Sequence, residues 1–87
     1  MVKGTTTITN KTGLHARPAS VFVKETLKYK SSITLEVDGK EYNAKSILGV
    51  LGACVKSGTE ITLICDGPDE AEALQGMIAA VESGLGE

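Results

Sequence analysis

The chain has 87 residues, a net charge of −2 and 41% hydrophobic side chains, the profile of one modest globular domain spanning 1–87. A chain this short buries roughly 60–70% of its unfolded surface, which is enough for a core but not for a deep cavity, so any chemistry belongs on the surface. With Arg17 as the only arginine and Phe22, Tyr29 and Tyr42 as the only aromatics, a base-stacking nucleic-acid platform is poorly supported.

The first element is the β-branched run Thr5-Thr6-Thr7-Ile8-Thr9, which predicts a strand. Asn10-Lys11-Thr12-Gly13 is a turn cluster. From Ala16 the pattern becomes helical, with Ala16, Ala19, Phe22, Val23, Thr26 and Leu27 at three- and four-residue spacing. Pro18 falls in the first turn, where its missing N–H breaks no helical bond. This helix is predicted to end near Lys28 to Lys30, where cations suit the negative end of the dipole.

Ile33, Leu35 and Val37 alternate with polar residues and predict a half-buried strand. Asp38-Gly39 is a strong hairpin signal, with a return strand over Lys40 to Asn43. Ser46 then caps a short predicted helix beginning at Ile47. Ser57-Gly58 makes a turn and Glu60 to Cys65 reads as a fourth strand. Asp66-Gly67-Pro68 ends it. Asp69, with Glu72 three positions on, predicts a capping box. Ala71, Leu74, Ile78, Val81 and Leu85 form the expected apolar stripe of the last helix, opposite Glu70, Gln75 and Glu82. The order β-α-β-β-α-β-α suggests an α+β domain with helices on one face of a sheet.

Cys54 and Cys65 stand eleven positions apart, which is neither a CxxC pair nor a disulfide framework. One histidine is too few for a zinc site, so no metal or cofactor is expected. No signal-type apolar segment is visible at the start, and the longest apolar run, Ile47 to Val55, is too short to span a bilayer. The expectation is a cytoplasmic protein with no membrane insertion. Charge is unevenly divided. Residues 1–45 hold eight basic and four acidic side chains, and residues 46–87 hold one basic and seven acidic. That asymmetry is either an incidental property of a solvated surface or a basic face for acidic partners and anions.

Gly13-Leu14-His15-Ala16-Arg17-Pro18 carries the most chemistry. It sets the sole histidine beside the sole arginine at a helix N-terminus, where unpaired N–H groups and the dipole favour phosphate. Arg17 adds a planar donor fork. A histidine nucleophile in this setting suits a relay, because its N–P bond is labile. From the residues alone, a surface histidine with no role remains an equal alternative.

Gly-Leu-His-Ala-Arg-Pro-Ala, residues 13–19, resembles the active-site signature of HPr, the histidine-containing phosphocarrier of the bacterial phosphoenolpyruvate:sugar phosphotransferase system. Lys45-Ser46-Ile47-Leu48-Gly49-Val50-Leu51 and Asp66-Gly67-Pro68-Asp69-Glu70 fall where that family has them. The resemblance covers the whole chain. It implies an open-faced β-sandwich, a four-stranded antiparallel sheet covered on one face by three helices. It implies that His15 is phosphorylated at Nδ1, that Arg17 steadies the phosphoryl group, and that Ala16 offers a backbone N–H. Enzyme I would be the donor and EIIA domains of sugar transporters the acceptors.

In members of the Gram-positive type, Ser46 is phosphorylated by HPr kinase/phosphorylase, and the product acts as co-repressor with catabolite control protein A. An N-cap alone also explains a serine at that position. Ile47, Leu48 and Leu51 read as core on pattern alone, but the resemblance implies a docking patch, joined by Ser20 and Lys24. Two positions depart from the family: Cys54 stands where glycine is usual, and Leu27 where lysine is frequent. A purely regulatory adaptor is the rival function. Relatives in that role lack the active histidine, and this chain keeps it. A metal- or RNA-binding module is a third reading, which the scarcity of ligands and aromatics opposes. A relay that docks several partners in turn is expected to be a monomer.

Overall fold

The computed structural model describes residues 1–86. Strand β1 is Val2–Thr7, helix α1 is Ala16–Thr26, strands β2 and β3 are Ser32–Val37 and Lys40–Asn43, helix α2 is Ile47–Gly52, strand β4 is Glu60–Asp66 and helix α3 is Glu70–Glu82. The four strands form one antiparallel sheet in the order β1-β4-β2-β3. The hairpin turns at Asp38-Gly39, both with positive φ, and pairs Val37 with Lys40.

Side chains alternate across this sheet. Ile33, Leu35, Ile61, Leu63 and Cys65 point into the core, where they meet Phe22 of α1, Val50 of α2 and Met77 of α3. The register lines up Thr5, Thr62, Glu36 and Glu41 in one row on the opposite, uncovered face. The three helices therefore cover a single face, and the open-faced sandwich implied by the family resemblance is the observed architecture. Burial within it pushes the Cys65 thiol pKa up.

Several local expectations change in the folded chain. Strand β1 begins three residues and ends two residues earlier than its threonines suggested, because pairing with β4 runs from Val2↔Cys65 to Thr7↔Glu60. Ile8 is instead fixed beyond the strand by its N–H, which donates to the Thr59 carbonyl at 2.9 Å. Helix α1 closes at Thr26, with Leu27 as its C-cap rather than a residue near Lys30. Its buried stripe is Pro18, Ala19, Phe22 and Thr26, while Ala16 is exposed and Leu27 is 62% exposed.

Helix α3 buries Ala73, Met77 and Val81, with Leu74 and Ile78 partly covered and Ala71 exposed. Leu85 is buried but lies past the helix, at φ 52°. The capping box does not form. Asp69 occupies the N-cap position without a side-chain cap bond. Its carboxylate accepts instead from the N–H groups of Lys30 and Ser31 and from the Ser31 hydroxyl. Glu72 is exposed, and Glu70 is the residue that accepts from the Gly67 N–H. Among the described residues, no helix is long and apolar enough to cross a membrane.

Candidate functional site

His15 is the N-cap residue of α1, with extended backbone at φ −136° and ψ 151°. Its side chain makes no capping bond and is exposed. The helix starts abruptly. Ala16, its first residue, has φ 45°, in the left-handed region where a Cβ is strained. Arg17 follows and is exposed, and Pro18, next in the chain, is buried. The first turn thus leaves backbone N–H groups without intrahelical partners next to His15. No acidic residue lies in that turn to compete for them.

The loop before His15 is held from below. Asn10 is buried, and its side-chain amide donates to the Gly13 carbonyl at 2.6 Å. The Gly13 N–H donates back to the Asn10 carbonyl at 3.1 Å. Leu14 is buried, and its N–H donates to the Val55 carbonyl at 2.9 Å. Gly13 has φ +67°, and a Cβ there would lie 2.2 Å from the Val55 carbonyl oxygen. Only glycine permits both this backbone conformation and this approach.

An open depression beside His15 is lined by Leu14, Leu51, Cys54, Val55 and Lys56. Cys54 is exposed at φ 52°, the left-handed conformation that glycine reaches without strain. This gives a physical reason for the glycine that the family resemblance leads one to expect there. Lys56 received no role from the sequence pattern. The available signal was its being the single basic residue after position 45.

Ser46 is the N-cap of α2, and its Oγ accepts from the Gly49 N–H at 3.2 Å. Ile47 is 40% and Leu48 79% exposed, while Leu51 is half-buried and packs on the core. Val50 alone of that helix is fully buried. Ser20 and Lys24 stand four residues apart on α1, half-buried and exposed respectively, and α1 packs against α2. The structure therefore brings His15 close to Leu51 around the depression and leaves Ile47 and Leu48 outward. Among the described residues, no group of three or more His, Cys, Asp or Glu side chains is gathered to hold a metal ion.

Fold and site together define a small α+β phosphocarrier, with a solvent-facing histidine at a helix N-terminus. Residues 2–83 match the family described as PTS HPr component, phosphorylation site, and the chain belongs to the HPr family. It is 49% identical over 82 residues to the HPr-like protein Crh of Bacillus subtilis, covering 94% of this chain and 96% of that one. It is also 49% identical over 75 residues to the phosphocarrier protein HPr of Mycoplasma capricolum, covering 86% and 84%. The crystal structure of HPr from Thermoanaerobacter tengcongensis superposes with a TM-score of 0.96 at 45% identity, covering 100% of this chain and 98% of the other. A domain-swapped dimer of B. subtilis Crh has a TM-score of 0.77 at 48% identity, with 97% of each chain covered.

Proposed function

We propose that this protein, acting as one domain in the cytoplasm, relays phosphoryl groups from phosphorylated Enzyme I to EIIA domains of sugar transporters. The observation that carries the reading is the exposed, uncapped His15 at the start of α1, with the exposed Arg17 two positions on. The lone pair of His15 Nδ1 attacks phosphorus as the bond to the donor breaks, and that bonding pair stays with the donor. Nε2 keeps its proton outside the new bond. The Ala16 N–H and the Arg17 guanidinium donate hydrogen bonds to the phosphoryl oxygens, supported by the positive end of the α1 dipole. The same set releases the group when an acceptor nucleophile attacks, since nothing else binds it covalently.

Partners dock on the face formed by Ile47, Leu48 and Leu51 with Ser20 and Lys24. Exposed apolar side chains beside cations suit partner surfaces that are apolar at the centre and acidic at the rim. Ser46 adds control. Phosphorylation there by HPr kinase/phosphorylase would place about −1.5 to −2 charges at the N-terminus of α2, favourable for the helix but repulsive to acidic partners. The phosphoserine form would then join catabolite control protein A. A carrier that meets several partners through one face works as a monomer.

The experiment is incubation with phosphoenolpyruvate and Enzyme I. Acid-labile, base-stable phosphate should appear on the protein and vanish in His15→Ala. Equal labelling of that variant would overturn the assignment. With HPr kinase/phosphorylase and ATP, label should appear and be lost in Ser46→Ala. Its survival would remove the regulatory part.

The likeness to Crh favours the rival reading, an adaptor acting mainly through phosphoserine. That reading requires full regulatory function in His15→Ala and no transfer by the wild-type protein. Mass measured in solution tests the monomer. A dimer would place the chain with the swapped relative instead.

A further inference from the structure

Lys56 is the only basic side chain after position 45, in a stretch that contains seven acidic ones. The fold sets this single cation in the depression that also holds His15, Leu51 and Cys54. Its backbone cannot drift from the histidine loop. A Cβ on Gly13 would lie 2.8 Å from Lys56 Cα, so the two backbones are in direct contact. The Leu14 N–H binds the Val55 carbonyl next door, and the Lys56 carbonyl accepts from the Thr59 N–H at 3.1 Å. The segment carrying the reacting imidazole and the residue carrying the ammonium form one packed unit.

The Lys56 side chain is exposed and has no hydrogen bond or ion pair among the described residues. Arg17 lies on α1 and does not line the depression. The two cations thus come from different elements. Lysine is a compact point charge on a long stem, and it binds phosphate without needing the fixed fork of arginine. Positioned donors are most effective where charge arrives during the reaction.

We infer that Lys56 is a second phosphoryl-holding residue, its ammonium donating to an oxygen of the group carried on His15. The inference rests on the His15 relay proposed above. Its place in the depression, which Ile47 and Leu48 do not line, sets it apart from the outward part of the docking face and leaves Leu51 as the residue the two share. Arg17 holds the group from the helix side and Lys56 from the Val55–Lys56 backbone that supports the loop.

The test uses the full chain with Enzyme I and phosphoenolpyruvate, comparing wild type, Lys56→Ala and Lys56→Arg. Lys56→Ala should lower kcat for His15 phosphorylation about 10-fold, with KM changed less than about 2-fold, and Lys56→Arg should recover most of the rate. In the wild-type protein, the side-chain ammonium resonance of Lys56 should shift on phosphorylation while that of Lys3, on β1, stays in place. This second readout needs no variant. An unchanged kcat overturns the inference. So does a raised KM with kcat kept, which would make Lys56 a docking residue. If wild-type protein takes no label at all, the His15 reading fails instead.

Discussion

The Asp69 carboxylate accepts a hydrogen bond from the Ser31 hydroxyl, 38 positions earlier in the chain. It also accepts from the N–H groups of Lys30 and Ser31, each at 2.9 Å. One side chain thereby ties the turn after α1 to the start of α3. The bond from the Ser31 hydroxyl, then that from the Lys30 N–H, holds the Asp69 pKa down to about 2, below its ordinary 3.8. A carboxylate with a depressed folded pKa contributes stability above its unfolded pKa and loses it as pH falls through the folded one. Stability should therefore decline between about pH 3.8 and pH 2 in part through Asp69. Asp69→Asn should lower Tm at neutral pH and flatten that acid limb. Thermal unfolding followed across the window checks both. An identical acid limb in the variant would show that the clamp contributes nothing.

Gly13→Ala should be among the most damaging small changes near the site. The added methyl meets the Val55 carbonyl oxygen at 2.2 Å and sits on a backbone with φ +67°. Strain of this type destabilises by about 1–3 kcal/mol. The loop must move, so phosphorylation of His15 should slow more than the stability loss explains. Denaturant unfolding paired with labelling kinetics at full occupancy of the native state separates the two effects.

Ser46→Ala removes the acceptor for the Gly49 N–H. A loss of about 1 kcal/mol is expected, as for other N-caps, with little effect on labelling of His15. Ser46→Asp should keep the stability and slow labelling by Enzyme I, most at low ionic strength where screening is weak. A labelling rate in Ser46→Asp equal to wild type at low salt would exclude charge repulsion as the mechanism.

Met77 and Ala71 test which stripe of α3 carries the packing. Met77 is fully buried among the core residues, and Ala71 is exposed. Met77→Ala should destabilise by about 2–5 kcal/mol. Ala71→Ser should stay within about 0.5 kcal/mol of wild type. Reversed magnitudes by chemical denaturation would restore the stripe expected from the sequence.

That stripe shows where reading the sequence stops. Ala71, Leu74, Ile78 and Val81 have helical spacing, and so do Ala73, Met77 and Val81. Periodicity identifies a helix but cannot choose between two overlapping faces when both are apolar. The choice is made by β1 and β4, against which α3 packs. The same holds for Leu27, whose spacing matches the buried face of α1, although the helix has already closed and the side chain points to solvent. Asp69 was legible as an N-cap, but its strongest partner comes from a segment that no local pattern connects to it.

The sequence by itself determined the element order, the Asp38-Gly39 hairpin, the Ser46 cap and the location of His15 and Arg17 at a helix start. These depend on residues within a few positions of each other, so short-range sterics and capping suffice. The tertiary structure alone decided the strand order, the partner of Asp69, the packing of Gly13 on the Val55–Lys56 backbone and the placing of Lys56 and His15 around one depression. Each joins segments tens of residues apart, and only burial of a shared core brings such segments together.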